Sequence, residues 1–455
     1  MNLAERDLKY IWHPCSQMKD YETLPPMVID HAKGIWLYGI DGKRYADVIS
    51  SWWCNLLGHC NERISAAIQD QLNRLEQVIF ANFSHEPAIE LCENLVEKLP
   101  KGLVKFFFTD NGSSAVEVAM KMSFQYQAQA GHPEKVRFMA LTDAYHGETL
   151  GALSAGAVDS YSQMYKPLLL DVVRVDGPDC YRCPYGKTRE TCSAECAQKA
   201  EKTFKRFGAE SAALLVEPLV QGAAGMKIYP PLYLKKLREL CDRFGVHLIA
   251  DEIAVGFGRT GTMFACQQAE ISPDFICLSK GLTAGYMPTA LVVTTQNVFD
   301  AFYADYGTNR AFLHSHTYSG NPLGCRAALE TLRILDEEPI LETARHNAPY
   351  LNTRLHEAFD RFDCVGEIRQ IGLINAIELV RNRETKEPFD PKQRFGYQVY
   401  QEALSRGLLL RPMGDVLYFN PPLIISPDEI DWTVERGTES LAATLCAGGV
   451  NKYFV

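Results

Sequence analysis

The chain has no apolar run long enough to cross a bilayer. It has no basic excess either: 46 Lys and Arg stand against 56 Asp and Glu, a formal net charge of -10. A general nucleic-acid binder presents a basic face, so the charge argues against that class, and the missing apolar run argues against a membrane-spanning helix. A local phosphate pocket is not excluded, because a site can be positive on an acidic chain. The opening segment, Met1-Asn2-Leu3-Ala4-Glu5-Arg6-Asp7, is polar and no apolar stretch follows it, which predicts no secretory signal. With no export signal, the 14 cysteines read as reduced thiols of a cytoplasmic protein. Internal repeats, low-complexity tracts and obvious linkers are also missing. What remains is an ordinary globular composition, 47% hydrophobic and 22% charged over 455 residues, enough for two or three domains.

The pattern changes along the chain. Residues 1–60 are strand-rich and broken by Pro25-Pro26, Gly34, Gly39 and Asp41-Gly42, the last a hairpin turn signal. Ile64, Ala67, Ile68, Leu72 and Leu75 then fall at helical spacing. Short apolar runs at 104–108, 137–141, 212–216, 246–250, 274–278 and 289–294 alternate with helical stretches such as 114–128 and 231–244. That alternation predicts an α/β fold with a parallel sheet covered on both faces. From about 340 the chain reads as a smaller α+β unit: a strand pair near 366–380, a helix at 391–406, strands at 408–420 and a helix at 427–444. The division expected is an N-terminal segment 1–60 packing with the small domain, a large domain 61–335 and a small domain 336–455.

Lys280 ends the run Phe275-Ile276-Cys277-Leu278-Ser279 and opens a small-residue loop, Gly281-Leu282-Thr283-Ala284-Gly285. Asp251 ends another run, 29 residues upstream. In open α/β sheets ligands bind beyond the carboxyl ends of strands. A lysine amine that condenses with an aldehyde, paired with a carboxylate that holds a pyridinium nitrogen, is what pyridoxal phosphate needs from a protein. After strand 104–108, Asn111-Gly112-Ser113-Ser114-Ala115-Val116-Glu117 reads as a phosphate-binding turn opening a helix, and equally as a Ser N-cap with Glu117 closing a capping box. Tyr145, in Ala144-Tyr145-His146-Gly147, suits a ring-covering aromatic or a buried structural tyrosine. Gly256-Phe257-Gly258-Arg259-Thr260-Gly261 reads as a further close-approach loop carrying a cation. Singly, each of these has an ordinary structural reading; the spaced set is what carries weight.

The series Asn111-Gly112-Ser113-Ser114-Ala115, Tyr145-His146-Gly147, Glu217-Pro218, Asp251-Glu252, Gly256 to Gly261, Ser279-Lys280-Gly281 and Thr317-Tyr318-Ser319-Gly320-Asn321-Pro322 resembles class III PLP-dependent aminotransferases. The resemblance spans nearly the whole chain. It implies fold type I with a mostly parallel seven-stranded sheet, a homodimer with shared active sites, and ping-pong transamination between a small-molecule amino donor and a keto acid. By the same resemblance Lys280, Asp251 and Tyr145 are catalytic, and Gly112, Ser113, Ile253, His316 and Thr317 join them on the cofactor, Thr317 from the other subunit. Ile11-Trp12-His13-Pro14, Met18, Ser50-Ser51-Trp52-Trp53 and Arg411-Pro412-Met413-Gly414 resemble the branch that aminates 7-keto-8-aminopelargonate in biotin synthesis, with S-adenosylmethionine or lysine as donor. Carried over, Arg411 clamps the keto acid's carboxylate, and Trp52, Tyr145, Lys280 and Ser315 line its path. An ω-amino acid or diamine aminotransferase using pyruvate or 2-oxoglutarate is the alternative. That branch commonly has Tyr where this chain has Cys15.

Cys180, Cys183, Cys192 and Cys196 lie within 17 residues. The C-x2-C half is typical of zinc or iron–sulfur sites, while the remaining spacing is looser. A metal site and reduced thiols on a surface insertion both fit, and the pyridoxal phosphate reading needs no metal.

Overall fold

The computed structural model describes residues 1–447. Its centre is a seven-stranded sheet in the order Leu103–Thr109, Ala290–Thr295, Phe275–Leu278, His247–Asp251, Ser211–Val216, Arg137–Leu141, Val172–Val175. Ala290–Thr295 runs antiparallel to both neighbours, and the other adjacent pairs are parallel. Side chains alternate across the pleat into two separate cores. Ala213, Leu215, Ile249, Phe275 and Val292 pack with Val116 and Ala119 of helix Gly112–Gln129. Leu214, Val216, Leu248, Ile276 and Val293 pack with Tyr233, Leu234 and Leu237 of helix Pro231–Phe244. The central strands are therefore apolar on both faces, which is why their runs read as continuous rather than alternating.

Val172–Val175 escapes the hydropathy pattern. It is four residues long, sits at the sheet edge and contains Arg174, whose guanidinium donates to the carbonyls of Ser154, Ala155 and Gly156. Helix Glu62–Leu72 stops short of Leu75, because the Gln71 side chain donates to the Leu75 carbonyl. Leu72 faces outward.

Ahead of the large sheet, Ile29–Lys33, Trp36–Gly39 and Arg44–Asp47 form an antiparallel sheet, with Gly42 at φ +79° turning the second hairpin. Leu408–Leu409, far along the chain, adds to it in parallel beside Arg44–Asp47. The C-terminal region holds the antiparallel strands Val365–Ile371, Ile374–Leu379 and Val416–Phe419. Helices Ile340–Phe359 and Phe395–Ser405 pack against Pro427–Ala447. The helix expected over 391–406 is divided at Arg394, which takes φ +50° and donates two hydrogen bonds to Asp20 at 2.9 and 2.6 Å. Among the described residues, no helix is long and apolar enough to cross a membrane.

Candidate active site

A cavity of about 1000 Å³ opens at the carboxyl ends of the central strands. Asp251 closes His247–Asp251, and Lys280 follows Phe275–Leu278; both line the cavity. The parallel pairing of these strands brings the two side chains to one rim, although 29 residues separate them. Lys280 Nζ lies 4.6 Å from the ring centroid of Trp53. Burial drives its ammonium below its ordinary value, against the upward pull of Asp251. Asp251 is 7% exposed; its Oδ1 accepts from Ile253 N at 3.1 Å and its Oδ2 lies 2.8 Å from His146 Nδ1. The opposite ring nitrogen of His146, Nε2, is buried without a partner among the described residues. Glu217, also in the wall, accepts from Tyr145 N and Gly222 N at 2.9 Å each. Burial pushes its carboxyl up to about 7.

The mouth of helix Gly112–Gln129 forms another wall. Asn111, not a serine, is its N-cap and accepts from Ser114 N at 3.0 Å. The expected capping box is absent, because the helix begins before Ser114 and so places Glu117 beyond its first turn; Glu117 instead accepts from Gly151 N at 2.6 Å and Ala152 N at 3.1 Å, capping the neighbouring helix Leu150–Ala155. The N–H groups of Gly112 and Ser113 have no acceptor among the described residues. A β-carbon at Gly112 would lie 2.8 Å from Ile253 Cδ1, so only glycine lets the helix end and Ile253 approach together. Ser113 Oγ receives Glu148 N and Thr149 N at 3.1 and 3.0 Å, which ties this helix end to the loop after Tyr145. Two free N–H groups at the positive end of an 18-residue helix make an anion site.

Arg411, Trp52, Tyr145 and Cys15 share the same cavity. The Arg411 guanidinium stacks 4.7 Å from the Trp52 ring centroid, and its Nη2 donates to the Cys15 carbonyl at 2.8 Å. Tyr145 donates its hydroxyl to Glu148 at 3.1 Å and lies 5.3 Å, centroid to centroid, from Tyr161. Tyr161 hydroxyl in turn is 3.7 Å from Cys15 Sγ. Sequence reading assigned no role to His146, Glu217, Trp53 or Tyr161. The first three sit inside quoted motifs, so their neighbours were the available signal; nothing flags Tyr161.

Several sequence-predicted groups lie outside this cavity. Ser315, His316 and Thr317 do not line it in the single chain; His316 instead lies 3.0 Å from Asp110 Oδ2 and 3.2 Å from His314. Arg259 is buried, and its guanidinium donates to the carbonyls of Asn55, Asn420 and Pro421. The loop Gly256–Gly261 therefore braces the fold rather than presenting a cation to a ligand. Cys180, Cys183, Cys192 and Cys196 line a separate cavity of about 150 Å³. All are free thiols, and burial pushes Cys180 up to about 12 and Cys196 up to about 11. Among the described residues, no three His, Cys, Asp or Glu side chains are grouped to hold a metal ion.

This geometry finds its counterpart in known proteins. The family model described as aminotransferase class-III matches residues 17–441. The chain belongs to the class-III aminotransferases. Adenosylmethionine-8-amino-7-oxononanoate aminotransferase from Geobacter sulfurreducens is 45% identical over 447 residues, covering 98% of each chain. Its namesake from Aquifex aeolicus is 39% identical over 95% of each. Among solved structures, the enzyme of that name from Methanocaldococcus jannaschii superposes with a TM-score of 0.91 at 35% identity, covering 97% of this chain and 98% of its own. The omega transaminase from Pseudomonas jessenii in complex with PMP gives a TM-score of 0.94 at 33% identity, covering 99% and 100%.

The residues present suit the phosphorylated pyridine cofactor of this aminotransferase family. The two unpaired N–H groups of Gly112 and Ser113 match a phosphate, Asp251 a protonated ring nitrogen, Lys280 an aldehyde carbon, and Tyr145 and Ile253 flat apolar faces.

Proposed function

We propose that the chain, with pyridoxal 5'-phosphate bound, transfers an amino group to the 7-keto carbon of 7-keto-8-aminopelargonate (8-amino-7-oxononanoate), giving 7,8-diaminopelargonate for biotin synthesis. S-Adenosylmethionine is the donor. The observation that carries the reading is the pairing of Arg411 with Trp52 in the cavity that holds Lys280 and Asp251. A long acid with a distal ketone needs a guanidinium for its carboxylate and an apolar corridor between the two. The names of the similar proteins agree with that chemistry.

Gly112 and Ser113 hold the phosphate, Asp251 keeps the ring nitrogen protonated, and Tyr145 and Ile253 take the ring faces. The cofactor, when bound, withdraws electrons from the carbon bearing the amino group. Lys280 Nζ takes the proton from that carbon and holds it for return, as general base and then acid. Burial lowers its affinity for protons, which favours the free amine needed for this work. Asp251 is held for its task by His146 and by the Ile253 amide. Arg411 fixes the keto acid by its tail, so that the ketone reaches Lys280 in a repeatable pose.

The reading also takes the protein as a cytoplasmic homodimer in which Ser315, His316 and Thr317 serve the partner's site. Fourteen free thiols support a reducing compartment. Exposed Tyr303, Tyr306, Leu313 and Tyr318 flanking that segment support a covered surface. The division at 1–60, 61–335 and 336–455 is part of the proposal, supported by the pairing of Leu408–Leu409 with Arg44–Asp47.

The likeness to the omega transaminase favours a second reading, transfer of the amino group of an ω-amino acid or diamine to pyruvate or 2-oxoglutarate. Half-reactions decide between them. The pyridoxal form mixed separately with S-adenosylmethionine, lysine, alanine and glutamate converts to the pyridoxamine form with S-adenosylmethionine, or with lysine if Cys15 marks a change of donor. Arg411→Ala raises KM for 7-keto-8-aminopelargonate about 10- to 100-fold, the worth of a charge-assisted hydrogen bond. Fast conversion by alanine or glutamate, with an unchanged keto-acid KM in the variant, sinks the first reading.

A further inference from the structure

Four consecutive residues, none of them glycine, lead into the cavity wall with left-handed φ: Ser50, Ser51, Trp52 and Trp53, at 51°, 45°, 71° and 73°, of which Trp52 and Trp53 line the cavity. Side chains bearing a β-carbon resist this conformation, and a run of four persists only where the surroundings over-determine it. Within the surroundings here one carboxylate makes the most side-chain contacts to the turn. Asp47, completely buried at the end of strand Arg44–Asp47, accepts Ile49 N at 3.3 Å and Ser51 N at 3.0 Å on Oδ1. Its Oδ2 accepts Ser51 Oγ at 2.7 Å and lies 3.0 Å from His59 Nε2. Ser50 Oγ adds a bond to the Asn420 carbonyl at 2.7 Å.

The turn delivers two adjacent tryptophans to two different cations. Trp53 meets Lys280 Nζ at 4.6 Å, and Trp52 meets the Arg411 guanidinium at 4.7 Å. In a right-handed turn or an extended strand, neighbouring side chains diverge differently and both pairings cannot survive together. Trp53 is further fixed edge-on against Tyr418, at 6.1 Å and 75°. We propose that Asp47, backed by His59, is the positioning residue that holds this left-handed turn and so sets the spacing between the Lys280 and Arg411 ends of the cavity. The inference deepens the reading given above and rests on Arg411 binding the keto acid.

The test uses the cofactor-loaded protein. Asp47→Ala raises KM for 7-keto-8-aminopelargonate about tenfold or more, a modest fraction of what misplacing a bound group by an ångström can cost, and changes the tryptophan near-ultraviolet circular dichroism. Asp47→Asn keeps the Oδ1 acceptor for both amides and recovers most of the loss. Adding Ser51→Gly to Asp47→Ala also recovers it, because glycine takes positive φ without strain. A purely structural role predicts a lower Tm, a loss of kcat and no recovery by Ser51→Gly; that result overturns the proposal. So does an Asp47→Ala protein with wild-type KM and an unchanged near-ultraviolet spectrum. Should Asp47→Ala not fold, His59→Gln takes its place: a KM raised about threefold with an altered tryptophan signal supports the proposal, and wild-type values in both overturn it. Failure of the functional reading is seen separately, as a parent protein that does not turn over the keto acid. In that event the tryptophan signal and its recovery by Ser51→Gly decide the role of Asp47.

Discussion

At the residue scale, Lys280 and Glu217 show what burial does to opposite charges in one cavity. Lys280 loses affinity for its proton and Glu217 gains it, both chiefly through desolvation. For Lys280 the consequence is catalytic. Lys280→Ala leaves a folded protein that lacks the absorbance of a lysine-bound cofactor and loses at least about 10²-fold in turnover, the usual worth of a positioned general base. A Lys280→Ala protein turning over at the parent rate would remove this lysine from the mechanism. For Glu217 the consequence is a pH-dependent stability. Its folded value, about 7, stands above the ordinary 4.5, so the folded chain favours the protonated form. The stability it contributes is present below pH 4.5 and is lost as pH rises through about 7. Glu217→Gln also exchanges an amide acceptor for a donor, a penalty that does not vary with pH. The Tm gap between parent and variant therefore narrows from pH 5 to pH 8. Parallel Tm profiles would mean that Glu217 does not titrate in this range.

At the element scale, the helix Gly112–Gln129 takes the phosphate end of the site in the proposed function. Its free amides, its glycine and its contact with Ile253 act together, and a methyl group disturbs all three. Gly112→Ala forces Ile253 aside and is expected to raise the Kd for pyridoxal phosphate about tenfold, roughly the loss of one good hydrogen bond. Fluorescence titration of the apoprotein measures it, and an unchanged Kd would show that the helix end yields freely. The same element shows what sequence conveys and what it does not. Apolar runs revealed six of seven large-sheet strands because both faces are buried; Val172–Val175 was lost to its shortness and to Arg174. The runs said nothing of direction, so the antiparallel course of Ala290–Thr295 became visible only in three dimensions. Lys280, Asp251 and Gly112 were legible because strand ends and helix starts are marked by sharp changes of residue type. Tyr161 and Asp47 were not, since a tyrosine in the four-residue helix Asp159–Ser162 and an aspartate closing the short mixed strand Arg44–Asp47 follow no apolar run that would mark them. Glu117 misled for a related reason: its spacing suits a box only if Ser114 is the N-cap, and with Asn111 there instead Glu117 lies past the first turn and caps Leu150–Ala155.

At the scale of the whole molecule, the question is what the segment around Thr317 serves. Ser315, His316 and Thr317 belong to the same sequence pattern as Lys280, yet they do not line its cavity, and exposed Tyr306, Leu313 and Tyr318 flank them. A twofold dimer reconciles these observations if each chain lends this segment to the other's cavity. Complementation tests the arrangement directly. Lys280→Ala lacks the amine, and Thr317→Glu places a negative charge where the partner's phosphate is expected. Each homodimer is then inactive at both sites. In a mixed dimer one site combines both defects, while the other takes Lys280 from the Thr317→Glu chain and Thr317 from the Lys280→Ala chain. Random exchange makes about half of the dimers mixed, each with one intact site of two, so unfolding and refolding the two variants together restores about a quarter of the parent activity. Were Thr317 to act within its own chain, the intact combination would never form, and the mixture would stay as inactive as its parts.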